Sequence, residues 1–301
     1  MKMLMVGLLV CTLCQKVQAD ENDRPSFNGE KALDHIATQI SFGPRIIEQP
    51  AAKRATIDFI TSLLEPAATR VTVQSFTSMG LSGDNIWATF VGPAGKPPSR
   101  RIMLGAHWDT RPISDHDPKP DKRLIPVVGA NDGGSGVAVL LELARLFSIK
   151  PPPVTVDLVF FDLEDMGNIK HYPFSLGAEA FVKKNRFYRP TEGIIVDMVC
   201  DKNLSIPQEL YSKTQAGELV DEIWEIAEAI KANAFIKKDG AYITDDHLPF
   251  LKADIPVIDL IHYPFPDYWH TTEDTLDKCS ASSLQQVGDV VATFIYSSSQ
   301  H

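Results

Sequence analysis

The chain has 301 residues, enough for one large α/β domain or two modest ones. With 44% hydrophobic and 23% charged residues it has a globular composition, which excludes a disordered chain. A formal net charge of −10, without a basic stripe, argues against nucleic acid or an anionic membrane as the natural partner.

At the N-terminus, Lys2 precedes an apolar run from Met3 to Leu13, and Val17-Gln-Ala19 follows. A charged start, a short apolar core and a small final residue read as a secretory signal cleaved after Ala19. The run is too short for a permanent membrane anchor, and Val10 and Leu13 stand where a lipoprotein signal needs a small residue before Cys11 or Cys14. The plain alternative is a buried N-terminal helix. On the signal reading, residues 1–19 are removed, residues 20–301 form the mature chain, and the protein is secreted or periplasmic. Cys200 and Cys279 then remain, either as a disulfide or as two buried thiols.

Helical periodicity predicts helices over Glu30 to Ile40 and Ala51 to Leu64, the second bracketed by Pro50 and Pro66. Arg70 to Phe76, Ile86 to Phe90 and Arg101 to His107 read as strands. Residues 108–130, with Pro112, Pro118, Pro120 and Pro126, form a long loop of the kind that is usually functional. Val137 to Phe147 is an amphipathic helix. Val154 to Phe161, Gly193 to Val199 and Ile255 to Ile261 are apolar enough to be buried on both faces. Glu218 to Asn233 and Ser283 to Tyr296 are the closing helices. The expected fold is a single α/β domain with a mixed, mostly parallel central sheet, an antiparallel edge and helices on both faces.

Buried strands of such a sheet bring their carboxyl ends to one crevice. The candidates that fall at strand ends are His107-Trp-Asp109, Glu164-Asp165 and Trp269-His270, with Asn131-Asp132-Gly-Gly-Ser-Gly136 opening a helix. Two carboxylates, a histidine and a spare glutamate at one point have the composition of a catalytic zinc site. Each has a plainer reading. Asp132 alone is a helix cap, and a phosphate loop fails because Gly-Lys-Ser/Thr is absent. Glu164-Asp165 alone is a solvated turn, and His270 alone a core or surface histidine. Asp197 is a carboxylate in an apolar strand, so it needs a metal, a hydrogen bond or a raised pKa. Asp245-Asp246-His247 can simply cap a helix from Leu248 to Leu251. His107 can serve a second metal with Asp109 orienting its ring. Asp115-His116-Asp117 reads as solvated loop, and His171, His247, His262 and His301 show no metal spacing.

Gly105-Ala-His-Trp-Asp109, Gly129-Ala-Asn-Asp-Gly-Gly-Ser-Gly136 and Phe160-Phe-Asp-Leu-Glu-Asp165 resemble zinc-dependent aminopeptidases with two metals, and equally the zinc-type glutaminyl-peptide cyclotransferases. Asp245-Asp-His-Leu-Pro-Phe250, Ile255-Pro-Val and Pro264-Phe-Pro-Asp-Tyr-Trp-His-Thr271 are similar to glutaminyl cyclases of animals and bacteria. The resemblance spans roughly residues 30–297. It implies one zinc held by Asp132, Asp165 and His270, Glu164 as general acid/base, Asp197 and Asp245 as a supporting carboxylate pair, and Trp269 in the substrate pocket. The implied reaction converts N-terminal Gln, and slowly Glu, of peptides or proteins to pyroglutamate. The alternative is a secreted zinc aminopeptidase, with His107 and Asp197 serving a second metal. The chain departs from the animal enzymes at Asp165, where they usually have Glu. It also departs at Gly167 to Ser175, which offers His171, Tyr172 and Phe174 where they carry a Trp, and its cysteines do not match the animal disulfide.

Overall fold

The structure is a computed structural model that describes residues 24–92 and 100–297; the expected signal over residues 1–19 lies outside the described residues. The elements are α1 (Gly29–Ser41), α2 (Pro50–Leu64), β1 (Arg70–Ser78), β2 (Leu81–Phe90), β3 (Arg101–His107), α3 (Gly134–Ile149), β4 (Thr155–Phe161), α4 (Leu176–Lys184) and β5 (Glu192–Asp197). There follow β6 (Ile206–Gln208), α5 (Leu210–Gln215), α6 (Gly217–Ala229), β7 (Phe235–Asp239), α7 (His247–Leu251), β8 (Val257–Ile261) and α8 (Ala281–Ser297). Among the described residues no helix is long and apolar enough to cross a membrane.

Six strands form the main sheet in the order β1-β2-β4-β3-β5-β8. β1 and β2 run antiparallel at one edge, while β4, β3, β5 and β8 are mutually parallel. Successive side chains of a strand point to opposite faces, and the apolar residues separate accordingly. Ile102, Leu104, Leu158, Ile194 and Val196 join a core with the helical residues Ile36, Leu140 and Val291. Met103, Val159, Phe161, Ile195 and Val257 join a second core with Phe181 of α4 and Phe250 of α7. Helices therefore cover both faces, which is why the central strands are mainly apolar, with buried Asp157 and Asp259 as mid-strand exceptions.

Four elements escape the periodicity reading: β6, β7, α4 and α5. β6 and β7 pair only with each other, and α4 and α5 have 9 and 6 residues, whereas α7 matches the helix read from Leu248 to Leu251 within one residue. α5 is capped by Glu209, whose carboxylate accepts from Tyr211 and Ser212 N–H groups. Cys200 and Cys279 are joined as a disulfide, so the free-thiol alternative does not hold. The bridge ties the segment after β5 to the segment before α8.

A buried ion pair secures the carboxyl end of β4. Lys53 Nζ lies 2.6 and 2.7 Å from the two oxygens of Asp162, which is fully buried. Asp162 also accepts the N–H groups of Asp84 and Leu163. Removing one partner of such a pair strands a charge in a dry interior. Lys53→Met is therefore expected to lower unfolding stability by about 3–5 kcal/mol, and an unchanged denaturant midpoint would show that the pair is dispensable.

Candidate active site

The parallel strands deliver the candidate residues to one end of the sheet. His107 is the last residue of β3 and Asp197 the last of β5. Glu164 and Asp165 follow β4. Asp132 precedes α3, whose first cap position is Gly133, at φ 81°. A Cβ at Gly133 would stand 2.2 Å from the carbonyl oxygen of Asp109, so only glycine fits this turn. The plain helix-cap reading of Asp132 fails: its side chain points to the histidines instead. Asn131 and Ser135 stitch this turn to the end of β5, accepting the N–H groups of Cys200 and Val199.

Asp132 sits between the two histidines. Its Oδ1 is 3.1 Å from His107 Nε2, and its Oδ2 is 3.5 Å from His270 Nε2. His270 Nε2 also lies 3.3 Å from Asp165 Oδ1, and His107 Nε2 lies 3.0 Å from Asp197 Oδ1. Two donor sets thus share Asp132: Asp132-Asp165-His270 and His107-Asp132-Asp197. All five residues are buried. Asp165 Oδ2 is buried without a hydrogen-bond partner, as a ligand atom reserved for a cation would be. Oxygen and imidazole donors in this arrangement fit zinc.

Supporting groups hold the ligands in place. Asp109 accepts the N–H groups of Glu164 and Asp165 at 3.1 and 3.2 Å. It lies 3.5 Å from His107 Nδ1, too far for a good hydrogen bond, so its task is to position the acidic pair rather than to orient the ring. Asp274 accepts the N–H groups of Asn131 and Asp132 at 2.8 and 3.0 Å. Arg111 donates to Asp165 Oδ1 at 3.0 Å and forms a bidentate pair with Asp115. The fully buried Arg45 donates to the carbonyls of Trp108, Val128 and Gly129, tying down both ends of the long loop. Of Asp115-His116-Asp117, read as solvated loop, His116 is exposed and Asp115 half-buried, but Asp117 is buried. Asp117 is 1% exposed and accepts from the N–H and hydroxyl of Thr272, and His116 packs edge-on to Trp269.

A cavity of about 290 Å³ opens beside these ligands. Asp132, Glu164, Asp197, Asp245, Trp269 and His270 all line it, with Asp165 set behind. Its walls are Met198, Ile243, Tyr263 and Phe265. Trp269 stacks on His270 at 3.8 Å between ring centroids. Of the three residues offered by Gly167 to Ser175, only Phe174 lines the cavity. Phe174 lies across Gly167, where a Cβ would meet its ring at 2.2 Å.

Electrostatics separate the carboxyl groups. Burial pushes Glu164 well above the ordinary carboxylate range, and the nearby carboxylates of Asp245, Asp246 and Asp165 add to this against the pull of His107. Ser175 Oγ lies 3.3 Å from Glu164 Oε1. Burial raises Asp197 to about 7, opposed by His107, and burial also raises Asp245. Burial raises Asp132 too, but its hydrogen bonds to His107 and His270 outweigh this and hold it low. Asp245 does not cap α7, whose cap position is Asp246, without a side-chain hydrogen bond. Behind Asp245, His247 sits 3.3 Å from Glu209 and 3.8 Å from Asp259, and Asp245, His247 and Asp259 form a further possible donor set of which only Asp245 lines the cavity.

The chain matches the model of peptidase family M28 over residues 85–295. It is similar to a Zn-dependent exopeptidase from Parabacteroides distasonis, 36% identical with a TM-score of 0.83, over 90% of this chain and 99% of that one. It is equally similar in fold to a glutaminyl cyclase from Bacteroides thetaiotaomicron, solved bound to N-acetylhistamine: 32% identity and a TM-score of 0.83, over 91% of this chain and 99% of that one. Glutaminyl-peptide cyclotransferase of Bos taurus is 24% identical over 256 residues, which span 74% of this chain and 69% of the bovine protein.

Proposed function

The chain belongs to peptidase family M28, and we propose that it is a zinc-dependent glutaminyl-peptide cyclotransferase, which converts N-terminal glutamine of peptides or proteins to pyroglutamate. The observation that carries this reading is the single cavity in which Glu164, Asp197 and Asp245 face one another under the aromatic wall of Phe265 and Trp269. We further propose that residues 1–19 are a cleaved signal and that residues 20–301 act outside the cytoplasm.

In the reaction the substrate's α-amine attacks its own side-chain carbonyl carbon, a five-membered ring closes, and ammonia leaves. No water is consumed. Asp132, Asp165 and His270 would hold one zinc, which when bound supplies Lewis-acid polarisation of the amide carbonyl. Glu164 takes the proton from the attacking amine and returns it to the leaving nitrogen. Its burial raises its proton affinity, which suits a group that must both take and return a proton. Burial raises both Asp197 and Asp245, and two neighbouring carboxyl groups resist double ionisation, so the pair can share a proton and donate one hydrogen bond to the leaving nitrogen. The narrow aromatic cavity holds the glutamine side chain folded back on its amine, which lowers the entropic barrier.

The second reading is a zinc aminopeptidase in which Glu164 activates water. It is favoured by the donor set His107-Asp132-Asp197. His107 Nε2 and Asp197 Oδ1 pair at 3.0 Å, and buried atoms without a partner stand at both donor sets, at Asp165 Oδ2 and at His107 Nδ1. Asp197→Asn separates the two readings. The cyclase reading expects about tenfold or greater loss of glutamine turnover, by analogy with one hydrogen bond lost at the leaving group, at one zinc per chain in both proteins. Two zincs per chain in the parent, one lost with Asp197, would favour the aminopeptidase.

A further inference from the structure

The reaction cavity adjoins a second depression that the chemistry leaves unused. Phe174, Thr244 and Asp245 line both. The second, of about 370 Å³, lies between α4 and α7. Its floor is apolar, formed by Val182, Leu248, Pro249 and Ala253. Its rim carries Lys183, Lys252 and Glu179. Both lysines are exposed, and neither ammonium group has an ion pair or hydrogen bond among the described residues. On the exposed rim two lysines stand against one glutamate, with the second carboxyl of the lining, Asp245, buried at the junction with the reaction cavity, so the outer edge is positive on a chain whose net charge is −10.

A cavity of about 290 Å³ lies at the small end of ligand pockets and holds the reacting residue and little more. The remainder of a peptide has to leave it along a surface. The ring of Phe174, fixed over Gly167 and stacked above the Arg111 guanidinium at 6.0 Å, is a firm divider between the two spaces.

We propose that this second depression is a subsite for the residues following the N-terminal glutamine, and that it selects peptides carrying an apolar side chain flanked by acidic ones. This rests on the cyclase reading and extends it to substrate class. The apolar floor takes the side chain, and Lys183 and Lys252 take the carboxylates. Because the lysines are exposed, their attraction is modest and screened by salt.

The test compares kcat/KM for a glutaminyl dipeptide amide with that for two glutaminyl heptapeptides, identical except for Glu or Lys at the positions after the second residue. The parent enzyme is expected to prefer the acidic heptapeptide by about three- to tenfold, since two exposed charge pairs contribute at that level, and the preference is expected to shrink at high salt. The double variant Lys183→Glu/Lys252→Glu is expected to cancel or reverse it and to leave the dipeptide rate unchanged; Lys183→Gln/Lys252→Gln should show an intermediate preference. Equal rates for the two heptapeptides, or a preference that survives charge reversal, would overturn the subsite while leaving the cyclase intact. Failure of the parent to turn over even the dipeptide would overturn the cyclase reading, and the subsite with it.

Discussion

Glu164→Gln is expected to lose about 10²–10⁴-fold in turnover, the usual contribution of a positioned general acid/base, while fold and zinc content stay as in the parent. An amide has the shape of the carboxylate but cannot shuttle a proton. Glu164 is not part of the donor set Asp132-Asp165-His270, so that set is untouched by the change. Its backbone is held by Asp109, which the substitution also leaves in place. Steady-state kinetics together with metal analysis of the purified variant make the check. Near-normal turnover would remove Glu164 from the mechanism; zinc loss would show that it is a ligand.

The second large effect is expected from the ligands themselves. Asp132→Ala, Asp165→Ala and His270→Ala should each lower zinc retention and activity together, by more than the roughly 10–100-fold that changes to outer-shell partners cost. Asp132→Ala should be the most severe, because Asp132 alone contacts both histidines and its loss leaves the two imidazoles without their shared carboxylate. Competition with a chromogenic chelator measures the affinity. A variant that is inactive but binds zinc as tightly as the parent would show that its residue had been misassigned.

The sheet was largely legible in the sequence because its central strands are buried on both faces. Arg101 to His107 is bounded as its composition predicts, and the helix read from Val137 begins three residues earlier, at Gly134, because Gly133 supplies the left-handed turn that starts it. Strand ends were less legible. β5 stops at Asp197 because Met198 takes a φ of 48°, and β8 begins only after Pro256, which has no N–H to give the ladder. α4 was missed because its periodic stretch is 9 residues long and follows an irregular run of positive φ angles at Asn168, Lys170, His171 and Ser175.

The ligand candidates stood out because they fall at the ends of apolar strands. The groups that position them did not. Arg45, Arg111, Asp117 and Asp274 are all buried, yet each lies in a polar stretch where solvation is the ordinary expectation. Their roles depend on partners distant in the chain: Asp274 holds the backbone of Asp132, 142 residues away. A single sequence carries no signal for such pairings. Conversely, Asp109 was legible as a site residue but not in its task, since only the fold shows that its carboxylate meets two backbone N–H groups before it meets a histidine.

The most direct test of the central claim is the mass of the products from two peptides, one beginning with glutamine and one with leucine, incubated with the purified zinc-loaded protein. Intramolecular closure needs a carboxamide placed to form a five-membered ring. The glutamine peptide should therefore lose the mass of one ammonia with its next peptide bond intact, and the leucine peptide should be unchanged. A peptide beginning with asparagine, which would have to close a strained four-membered ring, serves as a further negative. A peptide beginning with glutamate should react slowly, and faster as the pH falls toward the carboxylate pKa of about 4.3. Release of a free N-terminal amino acid from the leucine and glutamine peptides alike would contradict the cyclase account and establish the aminopeptidase in its place.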